Sequence, residues 1–159
     1  MNINIISIGS IKEKYFVDAI KEYSKRLRIY INLNINELQE YKLPNNPSNS
    51  QILEGLEKEG KNIISQINTK SYIISLCIEG KQKSSEEFSK NIGDLMLEGY
   101  SDITFIIGGS YGLSDEVKSR SNMKLSFSKM TYPHQLMRVI LLEQIYRAFK
   151  IIKNEPYHK

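Results

Sequence analysis

Apolar positions recur along the chain with two different periods, and together they predict a regular succession of strands and helices. Period-two or continuous apolar runs predict five strands, at 3–8, 29–36, 71–77, 103–107 and 123–127. Apolar residues at helical spacing predict five helices, over 11–28, 51–67, 84–98, from 114 onward and over 133–153. Strands that alternate with helices indicate an α/β fold, with a parallel sheet and helices on both of its faces.

The predicted strands differ in how much of each is expected to be buried. Residues 29–36 alternate strictly between apolar and polar side chains, which predicts one buried face and a position near the sheet edge. Residues 71–77 and 103–107 are almost continuously apolar, the pattern of parallel strands covered on both faces. Residues 84–87 have the spacing of a capping box, which predicts the start of a helix there.

The last predicted helix has more apolar residues than one sheet face requires. Its side chains are apolar at almost every angle, at positions 136, 137, 139–142, 145, 148, 149, 151 and 152. A helix on one face of a sheet needs a single apolar stripe. The surplus favours a homodimer through this helix, and the alternative is a central helix buried within one chain.

Two polar pairs interrupt this apolar helix, each with members four residues apart. His134 and Arg138 share one face near the helix start, where the helix N-terminus and the guanidinium both favour an anion. Glu143 and Arg147 lie about half a circumference away and are expected to form an ion pair. The first pair is therefore a candidate site, and the second is expected to be structural.

Positive charge is concentrated in the C-terminal quarter of the chain. Residues 118–159 contain nine lysines and arginines against two glutamates, a net charge of +7, while the rest carries −3. A split of this size is typical of a protein that contacts a polyanion, although a solvated basic face has the same composition. The charge alone leaves both interpretations open.

The composition of the 159 residues indicates one globular domain, spanning 1–159, in the cytoplasm. The single cysteine, Cys77, excludes an internal disulfide and follows an apolar run, which favours a buried thiol over a nucleophile. The first residues lack a signal-peptide pattern, and no apolar stretch approaches the ~20 residues of a membrane span. With two distant histidines and no HExxH or CxxC spacing, no metal site is expected.

A glycine-rich loop, GGSYG at 108–112, follows a predicted buried strand. Parallel α/β sheets bind ligands at this end of their strands. The loop lacks the lysine of a P-loop, and Asp115 and Glu116 in the next helical turn would repel a phosphate. A cofactor with a cationic centre and an adenosine ring suits the loop better, unless its glycines only supply positive φ for a turn.

Three segments together resemble one known family. They are FIIGGSYGL (105–113), LSFSKMTYPHQLMRVILLEQIYRAFKI (125–151) and EPYHK (155–159), and the opening 3–27 agrees with them. With these segments the chain resembles the ribosomal RNA large subunit methyltransferase H family over its whole length, least distinctively at 38–70. The resemblance implies a homodimeric, S-adenosylmethionine-dependent SPOUT enzyme with a C-terminal trefoil knot. It also implies methylation of N3 of a pseudouridine in 23S rRNA on the assembled ribosome.

The resemblance also implies which residues form the site. The cofactor would lie between three strand-end loops, at Leu76, Gly108, Phe127, Ser128, Lys129, Met130, Thr131 and Tyr132. The catalytic residues would be His134, Arg138, Tyr157 and His158, and the C-terminal end of one subunit would complete the site of the other.

Each of these catalytic residues has an expected role. His134 would accept or steer the N3 proton, and Arg138 would stabilise charge on the flanking carbonyls. Tyr157 would stack on the base, and His158 with Lys159 would hold backbone phosphate.

Two other functions remain open from the sequence. One is a SPOUT methyltransferase acting on another RNA site, a ribose 2′-OH or a tRNA. The other is a non-enzymatic ribosome- or RNA-binding module, in which the glycine loop is only a turn.

Overall fold

The computed structural model describes residues 1–158 and contains all ten predicted elements. Their bounds are β1 Asn2–Ile8, α1 Lys14–Leu27, β2 Asn32–Leu38, α2 Asn49–Gln66, β3 Tyr72–Gln82, α3 Ser85–Leu97, β4 Asp102–Ile107, α4 Asp115–Arg120, β5 Met123–Ser126 and α5 His134–Ile152. The expected capping box begins α3, since Ser84 accepts from Glu87 N–H and Glu87 accepts from Ser84 N–H.

The five strands form one parallel sheet in the order β2-β1-β4-β3-β5. Every residue of the central strand β4 is buried. Two apolar clusters flank the sheet: α1, α3 and α5 contribute to one, and α2 and α4 contribute to the other. The prediction of a parallel sheet with helices on both faces is therefore confirmed.

Two strand boundaries differ from the prediction. β2 is an edge strand, as expected, but it begins at Asn32, and Ile29 is 78% exposed. The alternation was misleading here because the chain first turns out of α1, with Tyr30 N–H and Ile31 N–H both donating to the Leu27 carbonyl. β3 continues beyond Cys77 to Gln82, through an irregularity between Leu76 and Lys81 in its pairing with β5.

Helix α5 lies against α1 and α3 on one face of the sheet, and none of its residues is exposed. Packing within one chain therefore buries much of the apolar surplus of α5. This agrees with the alternative that α5 is a central helix buried within one chain. A stripe at Leu136, Val139 and Ile140 is only half-buried. The expected ion pair between Glu143 and Arg147 is confirmed, at 2.6 Å.

Candidate active site

A cavity of about 430 Å³ lies where β3, β4 and β5 end. Its walls are the irregular stretch of β3 (76–79), the end of β4 with the glycine loop (107–113), and the end of β5 with the loop that follows it (125–128 and 130–132). Lys118, His134 and Met137 also line the cavity. The volume is within the range of small-molecule sites, which commonly lie at the carboxyl ends of parallel strands.

The cavity contains seven of the eight residues expected to bind the cofactor. They are Leu76, Gly108, Phe127, Ser128, Met130, Thr131 and Tyr132. The eighth, Lys129, is in the same loop, but its side chain is exposed and does not line the cavity. The sequence interpretation missed several lining residues, among them 77–79, Lys118, Leu125 and Met137. Residues 78 and 79 were missed because β3 was expected to end at residue 77.

The glycine loop after β4 folds into a tight hairpin. A Cβ at Gly108 would lie 2.2 Å from the Gly112 carbonyl oxygen, so no side chain fits there. Gly112 has φ +86°, and its N–H donates to the Gly109 carbonyl at 3.1 Å. The glycines therefore do form a turn, and this turn also makes one wall of the cavity.

Gly80 allows β3 to approach β5 closely at the wall of the cavity. A Cβ at Gly80 would lie 2.6 Å from the carbonyl carbon of Leu125 in β5. The close approach coincides with the pairing irregularity, which leaves residues 77–80 outside the regular ladder. The irregular stretch is thereby displaced toward the cavity, and it brings Cys77 and Glu79 to its wall.

One ion pair supplies most of the formal charge around the cavity. Glu79 and Lys118 approach to 2.7 Å, and this contact lowers the pKa of Glu79 and raises the pKa of Lys118. Because the lysine is paired, it is not free to bind a polyphosphate. The apolar walls fit an adenosine ring, and the neutralised Glu79–Lys118 pair adds no net positive charge that would repel a nearby cationic centre such as that of S-adenosylmethionine.

The surroundings of Cys77 differ from the predicted buried thiol. Its side chain is only half-buried and lines the cavity, so the thiol is not a core residue. Burial, reinforced by the charge of Glu79, raises the pKa of the Cys77 thiol. A raised pKa leaves less thiolate at neutral pH, so the preference against a nucleophile still holds on electrostatic grounds.

His134 begins α5 and lies at the rim of the cavity. Its Nε2 is 3.6 Å from the position that a Cβ on Gly9 would occupy, and Gly9 has φ +83°. Within residues 1–158 the His134 side chain makes no hydrogen bond. The imidazole is therefore available to a ligand in the cavity.

Arg138 points elsewhere, toward the ends of β1 and β2. Its side chain is 2% exposed and donates to the Ile8 carbonyl at 2.8 Å and the Gly9 carbonyl at 2.7 Å. It also donates to Glu37 at 2.8 Å, and Arg138 is not a lining residue of the cavity. Burial lowers the pKa of Arg138, and Glu37 opposes this effect. The guanidinium thus holds the backbone beside His134.

The other two expected catalytic residues lie at the opposite end of α5. Tyr157 donates to Glu143 at 3.2 Å and packs edge-on against Tyr146. His158 contacts Arg147 through Nδ1 at 3.3 Å and Glu86 through Nε2 at 2.6 Å.

Within one chain, these two residues are far from the cavity. The 13 residues from His134 to Arg147 span about 20 Å of helix. One chain therefore does not bring the four expected catalytic residues together. Lys159 lies outside the described residues.

The positive charge of the C-terminal quarter is largely paired in the structure. Five of its basic residues form ion pairs with carboxylates: Lys118, Arg120, Arg138, Arg147 and Lys150. Among residues 1–158, no group of three or more His, Cys, Asp or Glu side chains could hold a metal ion. No helix in the same range is long and apolar enough to cross a membrane.

The chain is similar to known proteins over nearly its whole length. Residues 1–158 match a family described as "Predicted SPOUT methyltransferase". Proteins named ribosomal RNA large subunit methyltransferase H from Clostridium kluyveri and Enterococcus faecalis are 55% and 52% identical to the chain, each over 100% of both sequences. The solved structure of a protein described as a "probable methylase family protein", from Haemophilus influenzae Rd KW20, superposes with a TM-score of 0.57 at 12% identity, over 99% of this chain and 70% of that one.

Proposed function

Because this chain belongs to the SPOUT methyltransferase family, we propose that it methylates N3 of a pseudouridine in 23S rRNA on the assembled ribosome, using S-adenosylmethionine. The relatives named ribosomal RNA large subunit methyltransferase H support the RNA substrate. One observation carries the proposal: seven of the residues expected to bind the cofactor share one cavity, with an uncommitted imidazole at its rim.

The walls of the cavity suit this reaction. S-adenosylmethionine, when bound, supplies an electrophilic methyl group on a sulfonium. The cavity walls would hold the adenosine by backbone groups and apolar contacts, and the Glu79–Lys118 pair leaves them without net positive charge. Enclosure by the irregular stretch of β3 and the loops after β4 and β5 would exclude water and align the methyl group with the base, which is a large source of rate.

Proton transfer is assigned to His134. The N3 imide of the base must lose its proton before nitrogen can attack, and the imidazole at the cavity rim is placed to accept or steer that proton. Arg138 was expected to contact the base carbonyls, but its three hydrogen bonds to Ile8, Gly9 and Glu37 favour a positioning role. Its hydrogen bond to the Gly9 carbonyl holds the backbone that lies beside the His134 imidazole.

Tyr157 and His158 would act from a second copy of the chain. In a two-fold dimer with antiparallel α5 helices, the C-terminal end of one helix lies beside the N-terminal end of the other. The half-buried stripe at Leu136, Val139 and Ile140 gives such a contact an apolar surface. We therefore propose a homodimer through α5, with the trefoil knot that the family implies, in the cytoplasm.

Nucleoside mass spectrometry tests the proposed function. Ribosomes that lack the modification would be incubated with S-adenosylmethionine and the protein, and their 23S rRNA digested to nucleosides. A new N3-methylpseudouridine is expected, and omission of the cofactor should abolish it. A methyl group on a ribose or another base would keep the enzyme class and change the target. No methyl transfer by folded protein to intact ribosomes would contradict the proposal.

A further inference from the structure

A second depression, of about 890 Å³, adjoins the cavity on the side of β1 and β2. Four segments surround it: residues 9–12 after β1, residues 37–44 at the end of β2, the tip of the glycine hairpin, and the first turn of α5. Ser110, Tyr111 and His134 line both spaces. We call this depression the β1–β2 groove. It leads from the surface to the imidazole at the cavity rim.

We propose that the β1–β2 groove binds the single-stranded RNA next to the target nucleotide, with a base stacked on Tyr111 at the junction with the cavity. This inference rests on the proposed function, because it assigns the path by which the substrate reaches His134. RNA bases that are modified by enzymes are recognised in unstacked single-stranded segments, where aromatic side chains replace the lost stacking.

The ring of Tyr111 is partly exposed to solvent. It is 51% exposed at the tip of the hairpin that Gly108 and Gly112 make possible. Within residues 1–158 its ring pairs with no other aromatic ring and no cation. Ser110 Oγ donates to Glu40 Oε1 at 3.2 Å, which ties the hairpin to the loop after β2. The ring is therefore held in place without being covered.

The charges of the groove favour a phosphate backbone. Lys12 and Lys42 line it, and neither forms an ion pair within the described part of the chain. Of the two carboxylates of the groove, Glu37 is neutralised by Arg138, whereas Glu40 accepts from the neutral Ser110 hydroxyl and keeps its charge beside the two lysines. Free lysines beside an exposed aromatic ring are the combination that single-stranded nucleic-acid sites use.

The lining of the groove argues against a second protein chain as its occupant. Subunit interfaces of homodimers have apolar cores from which charged residues are depleted. The groove instead mixes lysines, glutamates and tyrosines, and the half-buried apolar stripe of the molecule lies along α5.

Ribosome binding by co-sedimentation, measured beside KM and kcat, tests the stacking. Tyr111→Ala should raise both the Kd and the KM for ribosomes about tenfold, while Tyr111→Phe, which keeps the ring, should match the native protein. Leu97→Ala is the control, because Leu97 is 89% exposed at the end of α3 and lines neither the groove nor the cavity. Its Kd should not change.

The salt dependence of the same binding tests the phosphate contacts. Removing Lys12 and Lys42 together should lower the slope of log K against log salt by about 1.4, whereas the exposed Lys70, at the amino ends of the strands, should change it little when replaced by Ala. An unchanged Kd in Tyr111→Ala, or a rise only in the Kd for S-adenosylmethionine, would overturn the proposal. Because binding is measured without turnover, a native protein that binds but does not methylate would refute the proposed function alone.

Discussion

The two ends of α5 carry similar residues in very different surroundings. At the N-terminal end, Arg138 is buried and bound to backbone carbonyls and Glu37, while His134 makes no hydrogen bond within residues 1–158. At the C-terminal end, Arg147 is partly exposed and His158 is hydrogen-bonded on both ring nitrogens. The same pair of residue types therefore leaves the imidazole free at one end and engaged at the other.

The engaged histidine also has a defined tautomer. The guanidinium of Arg147 can only donate, so Nδ1 of His158 accepts and its Nε2–H donates to Glu86. The pKa of Glu86 is lowered to about 2, mainly by Ser84 and with a contribution from His158, so the acceptor stays ionised at neutral pH. His158 is thus held as a structural or binding group, and the proton-transfer role falls to His134.

The largest expected effect is on catalysis at the N-terminal end. His134→Ala should lower kcat by two to four orders of magnitude, roughly the contribution of one general base. Its melting temperature should stay near that of the native protein, because the side chain has no hydrogen-bond partner to lose among the described residues. Single-turnover methylation of ribosomes measures the effect. A kcat within a factor of three of the native value would remove His134 from the mechanism.

The next largest expected effect is on the free energy of unfolding, and it tests whether Arg138 has a structural role. Arg138→Ala leaves the Ile8 and Gly9 carbonyls and Glu37 without their donor and should destabilise the fold by about 2–3 kcal/mol. Arg138→Lys should recover only part of this, since an ammonium lacks the planar fork. Urea unfolding gives both values. Arg120→Ala, which removes an exposed i,i+4 pair, should cost less than about 0.5 kcal/mol. Equal costs for Arg138 and Arg120 would contradict the assignment.

A smaller loss is expected at the C-terminal end of α5. Arg147→Ala removes the contact with Glu143 and the guanidinium 4.7 Å from the Tyr157 ring centre. Because this network is partly exposed, the expected cost is about 1 kcal/mol. Urea unfolding beside the Arg138 variants compares the two ends directly. A loss as large as that of Arg138→Ala would show that the difference in burial is unimportant.

The smallest effect is on thiol chemistry. Since burial raises the pKa of Cys77, its alkylation at pH 8 should be slower than that of free cysteine and should increase with pH beyond the ordinary thiol range. Because Cys77 lines the cavity, S-adenosylmethionine should slow the reaction severalfold further. Mass spectrometry of iodoacetamide labelling follows both rates. A labelling rate that S-adenosylmethionine does not change would indicate that the cofactor binds outside this cavity.

Local features of the fold could be predicted because they depend on neighbouring residues. Apolar periodicity located all ten elements, and the serine–glutamate spacing at 84–87 located the start of α3. The error at residues 29–31 has a local cause, because a turn of three residues happened to continue the alternation of β2. The resemblance then supplied the residues of the cavity, which periodicity could not.

Long-range contacts of the site could not be read from spacing. Arg138 shares a helix face with His134, but its partners are about a hundred residues or more away along the chain. Of the five paired basic residues, Lys118 and Arg138 pair with the distant Glu79 and Glu37, while the other three pair with carboxylates within five residues. Charge counted along the chain therefore overstated the free positive charge, and the β1–β2 groove was not anticipated.

Mixing two inactive variants tests the composite site most directly. One variant would carry His134→Ala and the other Tyr157→Ala with His158→Ala, and the two would be unfolded and refolded together before the rRNA methylation assay. If the ends of α5 meet across a dimer, half of the mixed chains form heterodimers with one intact site, and about a quarter of native activity should return. If each chain builds its own site, every site lacks a residue and no activity returns, which would contradict the account.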